Sequence, residues 1–249
     1  MLPANDDSGT DGIRDGVQFT TEYNAACTDV EFVYVRGSGQ VLGDTEEWRQ
    51  FQREAKKLAE RNGYTYKIYD LDYPAVAISQ PSVAVGAFVS AGEAFKFGRS
   101  VDAGVNNLNQ HRAVMDIHCP LTRWVLMGYS QGALVVMDAL PKFNPETFAY
   151  AALLGDPKTY LPEGEGLYPM ACAGGLPSPY RVFVPECRTH RGILGARKPY
   201  VPEGYEGKVG LWCNRDDIIC GSTKNVFKME GHSQYRDIGS IPWVLREAD

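Results

Sequence analysis

The pattern with the clearest chemical meaning in this sequence is a serine placed between two glycines. Residues 128–132 read Gly-Tyr-Ser-Gln-Gly, so Ser130 stands at the centre of a G-x-S-x-G motif. A serine hydroxyl at such a turn can attack a carbonyl carbon when a base removes its proton. Glycines are needed because a strand that reverses into a helix brings backbone too close for a Cβ atom. The motif therefore predicts a nucleophilic serine.

A base for this serine is expected later in the chain. In α/β-hydrolase folds the order is serine, then aspartate or glutamate, then histidine. Of the four histidines, His111 and His118 precede Ser130, and His190 lies in a loop-rich middle region. His232 follows the last predicted strand, so chain order and position both select it as the base.

Two adjacent carboxylates could orient the histidine. Asp216 and Asp217 follow the last predicted strand and lie between Cys213 and Cys220. A disulfide across so short a loop would hold an enclosed carboxylate in place. Position in the sequence does not separate the two aspartates, and both remain candidates at this point.

The negative charge of the tetrahedral intermediate requires hydrogen-bond donors that are positioned in advance. One is expected to be the backbone N–H of Gln131, the residue after the nucleophile. The other is expected from residues 37–39, which read Gly-Ser-Gly and follow the first predicted strand. This chemistry needs neither a metal nor a cofactor, and we expect none.

Strands and helices alternate along the chain. Short apolar and β-branched runs predict strands at residues 30–36, 64–69, 122–127, 148–154, 181–184 and 209–212. Helical spacing predicts helices at residues 44–62, 100–115 and 133–140, the first capped by Asp44 or Thr45. This alternation implies an α/β fold in which a mostly parallel sheet is covered on both faces by helices, a three-layer α/β/α sandwich.

Composition limits the domain organisation and the partners. We expect a disordered acidic segment at residues 1–18 and a single domain at 19–249. The formal net charge of −6 argues against nucleic acid or an anionic membrane surface as a partner. The sequence contains no run of about 18 apolar residues, so it does not predict a transmembrane helix. We expect a monomer that binds an ester substrate.

The cysteines bear on the compartment. The six cysteines form no C-x-x-C pair, which fits three disulfides in an exported protein better than zinc ligands or free thiols in an intracellular enzyme. The first residues lack the basic flank and apolar stretch of a signal peptide. We therefore expect a secreted or cell-envelope protein whose export signal is absent from this sequence.

Four ordered motifs resemble the cutinase family of serine esterases. Residues 27–38 are similar to the family's opening cysteine, strand and Arg-Gly-Ser, and residues 128–132 match its G-Y-S-Q-G. Residues 213–220 resemble its C-x-x-x-D-x-x-C, and His232 with Tyr235 resembles its H-x-x-Y. The resemblance covers about residues 27–235 and implies an α/β-hydrolase fold.

The resemblance also implies roles for individual residues. It selects Asp217 as the orienting acid, adds Ser38 to Gln131 in the oxyanion hole, and places Val226 and Phe227 at the border of the substrate site. It implies three disulfides, which pair Cys27 with Cys119, Cys172 with Cys187, and Cys213 with Cys220. Residues 74–98, 161–179 and 191–207 look like additions to the compact family pattern and could form a lid or narrow the acyl groove.

The predicted function is hydrolysis of carboxylic esters, possible substrates being a polyester or a lipid, by Ser130, His232 and Asp217 through an acyl-enzyme. A lipase, phospholipase or acyltransferase could use the same three residues. An inactive binding module is disfavoured because all three positions are occupied. A dinucleotide site is also disfavoured, because the glycines at 37, 39 and 43 have one residue too many for the Rossmann fingerprint and precede their helix.

Overall fold

The structure is a computed structural model that describes residues 27–78, 91–161, 190–213, 217–221, 230–233 and 235. The strands in these residues are β1 (Val30–Val35), β2 (Tyr66–Asp70), β3 (Arg123–Tyr129), β4 (Phe148–Leu154), β5 (Tyr160–Leu161), β6 (His190–Arg191) and β7 (Val209–Trp212). The α-helices are α1 (Glu46–Asn62), α2 (Ala91–His118), α3 (Gln131–Ala139) and α4 (Glu230–Ser233). A 3₁₀ turn, Leu140–Lys142, continues α3.

Five of the strands form one parallel sheet. Their order across the sheet is β2-β1-β3-β4-β7, and each neighbouring pair runs in the same direction. All five carboxyl ends therefore meet at one edge, where ligands bind in open α/β sheets. The predicted central parallel sheet is confirmed.

Alternation of side chains along β1 explains the three layers. Phe32 and Tyr34 point to one face, where both rings contact Phe51 of α1. Val33 and Val35 point to the opposite face and join the apolar core formed with α2 and α3. Because successive strand residues face opposite sides, one buried strand supplies both cores. The predicted α/β/α sandwich is confirmed.

The ends of α1 follow from its capping residues. Thr45 is the N-cap, since its side chain accepts the N–H of Trp48 at 3.0 Å. The first turn carries Glu46 and Glu47, whose negative charges interact favourably with the positive end of the helix dipole. Gly63 closes the helix in the left-handed conformation, with φ of 68°.

The second helix begins earlier than the sequence predicts. α2 starts at Ala91 rather than at Ser100, so part of the segment 74–98, which looks like an addition to the family pattern, continues this helix. Gly92 and Gly98 lie in this first part, and glycine lowers helix propensity, which hides the helix in the sequence. Packing of Phe97 against the core supports the extension.

Several other predicted boundaries shift. The helix after the serine starts at Gln131, and its last turn runs through Pro141 as a 3₁₀ turn. The two-residue strands β5 and β6 pair antiparallel where the sequence predicts only loops. The predicted strand at 181–184 and the N-terminal segment 1–18 lie outside the described residues.

The two disulfides in the described residues are those that the resemblance implies. Cys27 and Cys119 are bonded with their Cα atoms 5.4 Å apart, and Cys213 and Cys220 with theirs 5.8 Å apart. The first joins the segments that lead into the neighbouring strands β1 and β3. Cys172 and Cys187 lie outside the described residues.

Asp70, at the end of β2, makes stability depend on pH. Its Oδ2 accepts the Gly43 N–H at 2.6 Å, and burial outweighs this bond and the Arg36 charge to raise the pKa of the carboxyl to about 6. The unfolded carboxyl has a pKa of 3.8. The folded state therefore favours the protonated form, and the contribution of Asp70 to stability is lost as pH rises from about 4 through 6.

We expect Asp70→Asn to raise the free energy of unfolding at pH 8 and to leave it unchanged at pH 4. One pKa unit corresponds to about 1.4 kcal/mol, and partial exposure reduces the expected gain to about 1 kcal/mol. Urea unfolding at both pH values measures this. An equal effect of the substitution at pH 4 and pH 8 would contradict the prediction.

Candidate active site

Ser130 occupies a strained turn between β3 and α3. Its backbone has φ of 54° and ψ of −113°, a region that residues other than glycine rarely adopt. A Cβ on Gly128 would lie 2.6 Å from the carbonyl oxygen of Gly132, and a Cβ on Gly132 would collide with the carbonyl of Val35. Both glycines of the motif are therefore required by close backbone contacts.

The structure brings Ser130, His232 and Asp217 together. The Nε2 atom of His232 lies 2.9 Å from the Ser130 hydroxyl oxygen. The Nδ1 atom on the other side of the ring lies 3.0 Å from Asp217 Oδ2. Strand ends supply two of these residues, since Ser130 follows β3 and Asp217 follows β7, while His232 belongs to α4. The other candidate acid, Asp216, lies outside the described residues.

Asp217 is fully buried and surrounded by hydrogen-bond donors. The backbone N–H of Ile219 donates to Oδ1 at 2.8 Å, and the hydroxyl of Tyr235 donates to Oδ2 at 2.7 Å. These contacts fix the position of the carboxylate. When Asp217 accepts the Nδ1–H of His232, the Nε2 lone pair faces Ser130.

Gly155, the residue after β4, makes room for this arrangement. Its N–H donates to the carbonyl of Trp212 at 2.9 Å, and its φ is 62°. A Cβ at this position would lie 2.8 Å from Cε1 of His232 and 3.0 Å from Oδ2 of Asp217. No local signal in the sequence indicates this role, because both contacts come from residues more than one element away.

Tyr129 positions the histidine from the opposite side. Its ring stacks on the imidazole of His232 with centroids 5.2 Å apart, and its hydroxyl donates to the His232 carbonyl at 2.7 Å. A Cβ on Gly37 would lie 2.7 Å from Cδ1 of this ring. The glycine of the Arg-Gly-Ser segment thus leaves space for the tyrosine of the serine motif.

One predicted oxyanion-hole residue lines the cavity of Ser130, and the other follows Ser130 in the chain. Ser38 lines the same cavity as Ser130. Gln131 is buried and is the first residue of α3, so its backbone N–H has no acceptor within the helix. The predicted substrate residues Val226 and Phe227 lie outside the described residues.

The cavity at Ser130 is largely apolar. It has a volume of about 450 Å³, within the range of small-molecule sites. The apolar side chains that line it include Ile78, Phe97, Val101, Leu134, Ile193 and Ile219. The charged residues Asp102, Asp138 and Lys158 also line it. The early start of α2 contributes directly, since Phe97 belongs to the part of the helix that the sequence did not predict.

A partly buried ion-pair network holds one wall of this cavity. Arg197 contacts Asp156 and Asp138, each at 2.9 Å, and Tyr200 donates to Asp156 at 2.9 Å. Burial alone would lower the pKa of Arg197, but the nearby carboxylates raise it. The network fastens the predicted loop 191–207, which supplies Ile193 to the cavity.

The other three histidines belong to other elements of the fold. His111 pairs with the buried Glu31 of β1, His118 ends α2, and His190 belongs to β6. Across the described ranges, no group of three or more His, Cys, Asp or Glu side chains could hold a metal ion. A search of those ranges for a helix long and apolar enough to cross a membrane also finds none.

Comparisons with known proteins identify relatives of this chain. The chain is 28% identical over 238 residues to Phospholipase Culp4 of Mycobacterium tuberculosis, an alignment that covers 90% of this chain and 77% of the relative. It is 29% identical over 161 residues to Cutinase 4 of Emericella nidulans. That alignment covers 62% of this chain and 61% of the cutinase, so the match spans about three-fifths of that relative.

Structural comparison gives the same fold. A cutinase-like protein from Cryptococcus sp. superposes with a TM-score of 0.60 at 19% identity, over 90% of this chain and 93% of the other. The sequence model of the family described as Cutinase matches residues 26–244. The chain therefore belongs to the cutinase family.

Proposed function

We propose that this protein hydrolyses carboxylic esters through an acyl-enzyme, with Ser130 as nucleophile, His232 as general base and Asp217 as orienting acid. The observation that carries the proposal is the continuous hydrogen-bonded chain from the Asp217 carboxylate through both ring nitrogens of His232 to the Ser130 hydroxyl. A hydroxyl so paired loses its proton as it attacks, which an isolated serine cannot do at neutral pH.

Each proton in the proposed reaction has a defined path. His232 Nε2 takes the Ser130 proton while Oγ bonds to the acyl carbon, and the resulting oxyanion is held by the Gln131 N–H and by Ser38. His232 then protonates the departing alcohol. A water molecule repeats the sequence and releases the acid. An alcohol in place of water would make the same enzyme an acyltransferase.

The cavity supports an ester whose acyl chain is apolar. Leu134 and Val101 line it together with Ser130, and binding to such apolar walls gains free energy for each methylene that is buried. The relatives named a cutinase and a phospholipase fit such a substrate, either a polyester or a lipid ester. We propose this substrate class in preference to small acetyl esters.

The proposed setting is the cell exterior or cell envelope. The disulfides Cys27–Cys119 and Cys213–Cys220 support it, because such bonds persist in oxidising compartments. We further propose that the protein acts as a monomer and without nucleic-acid partners, as its net charge of −6 suggests.

A series of p-nitrophenyl alkylphosphonates tests the function and the substrate class together. We expect stoichiometric inactivation, with the label located on Ser130 by mass spectrometry. Because the cavity is apolar, an octyl phosphonate should inactivate about tenfold or more faster than a methyl phosphonate of equal intrinsic reactivity.

Absence of the label from Ser130 would contradict the esterase proposal and favour an inactive binding module. Labelling of Ser130 at equal rates by both phosphonates would retain the reaction and refute the apolar substrate class. A titration with NAD(H), followed by protein fluorescence, is expected to show no saturable binding.

A further inference from the structure

A buried polar cluster lies behind the proposed oxyanion hole and is not used in the reaction above. Its centre is Arg36, which follows β1 and is only 5% exposed. The guanidinium donates to three carbonyl oxygens, those of Gln40 at 3.1 Å, Leu71 at 2.6 Å and Tyr73. The nearest carboxylate oxygen, on Asp72, is 3.9 Å away. Arg36 therefore joins backbone segments rather than forming a close ion pair.

Tyr73 connects this cluster to both sides of the oxyanion hole. It is 1% exposed, and its ring lies under the Arg36 guanidinium at 5.0 Å. Its hydroxyl donates to the Arg36 carbonyl at 2.5 Å and lies 3.5 Å from the side-chain oxygen of Gln131. Ser38 is two residues after Arg36. The Tyr73 hydroxyl therefore contacts the segment that carries Ser38 and also lies close to Gln131, and these are the two residues proposed to form the oxyanion hole.

Other hydrogen bonds also hold the Ser38 segment, among them the one that the Gly39 N–H donates to the Ala75 carbonyl at 2.7 Å. Gln40 accepts the Gly37 N–H at 2.7 Å and donates to Glu47 at 3.0 Å, which ties the segment to α1. None of these hydrogen bonds reaches Gln131. Within the described residues, the Gln131 side-chain nitrogen has no hydrogen-bond partner. Because the Tyr73 proton goes to the Arg36 carbonyl, Tyr73 can hold this side chain as an acceptor, with the Gln131 amide turned so that its nitrogen faces the hydroxyl oxygen.

We propose that Tyr73, held in place by Arg36, is a positioning residue of the oxyanion hole. It fixes the separation between Ser38 and the backbone N–H of Gln131. The inference rests on the proposed function of these two donors. Its physical basis is that donors stabilise a developing oxyanion only when they are placed before the reaction, and small displacements remove much of the effect.

The substitution Tyr73→Phe tests this, because it removes one oxygen and keeps the ring under Arg36. The chain offers a matched control in Tyr205→Phe. Tyr205 is also buried, at 3% exposure, and its hydroxyl donates to the Phe143 carbonyl at 2.6 Å in a part of the core away from the cavity. Each variant loses one buried hydroxyl-to-carbonyl hydrogen bond.

For Tyr73→Phe we expect kcat on a p-nitrophenyl ester, per site titrated with phosphonate, to fall about 10- to 100-fold with KM unchanged. An alkylboronic acid forms a tetrahedral adduct with a serine nucleophile, so its inhibition constant should rise in parallel. Tyr205→Phe should keep the kcat and inhibition constant of the parent. If the role of Tyr73 is purely structural, both variants should have a lower Tm, and kcat and the boronate inhibition constant per titrated site should stay at the parent values.

Equal behaviour of the two variants in kcat and boronate affinity would overturn the inference, while an active, phosphonate-labelled parent would leave the proposed function intact. A parent that is inactive and unlabelled would instead refute the function itself. If Tyr73→Phe does not fold, Arg36→Lys gives the same readout. It keeps the charge but not the planar arrangement that reaches three carbonyls, and parent values for this variant would overturn the inference.

Discussion

Ser130→Ala is expected to abolish ester hydrolysis. Loss of a triad nucleophile lowers kcat by about 10⁶-fold in serine hydrolases, so the variant should approach the uncatalysed rate. Folding should persist, because the Ser130 side chain makes no helix-capping hydrogen bond and alanine is no larger. Activity on a p-nitrophenyl octanoate substrate, together with the thermal unfolding curve, measures both effects.

The control for this variant is Ser233→Ala. Ser233 is exposed and is the next residue after the proposed base, so it reports the effect of losing a hydroxyl near the site. We expect it to keep the parent rate. Full turnover by a purified Ser130→Ala protein would remove the nucleophile assignment, and with it the proposed mechanism.

Asp217→Asn is expected to lower kcat by about 10⁴-fold with little change in KM. The asparagine amide would bring an N–H₂ group towards donors that now converge on the carboxylate, namely Nδ1–H of His232 and the hydroxyl of Tyr235. The imidazole is then favoured in the tautomer that carries its proton on Nε2. That nitrogen can no longer accept the proton of Ser130.

Asp216→Asn is the matched control, since it removes a neighbouring carboxylate by the same chemical change. Steady-state kinetics on both variants, with circular dichroism as a check of folding, should show the large loss at position 217 alone. The reverse pattern would make Asp216 the orienting acid and contradict the arrangement described for Asp217.

The layered fold could be predicted from local signals. The strand Phe148–Leu154 has the bounds predicted from its apolar run. The helix Glu46–Asn62 ends at the predicted Gly63, because a left-handed closing residue is a local requirement. By contrast, the early start of α2 at Ala91 was missed, since Gly92 and Gly98 weaken the local signal and core packing outweighs it.

For the candidate site, the sequence alone determined the serine turn and, through chain order, the choice of His232. These depend on rules that act within a few residues or on the order of elements along the chain. Alone it left Asp216 and Asp217 as equals, and the family resemblance was needed to prefer Asp217.

Only the tertiary structure placed Asp217 against His232 and brought Gly155, Tyr129 and Tyr73 to the surroundings of the site. The physical reason is distance along the chain. Ser130 and His232 are 102 residues apart and meet within 2.9 Å only because strand ends and loops pack at one edge of the sheet. Which atoms fill the space between them depends on that packing, and no local pattern in the sequence encodes it.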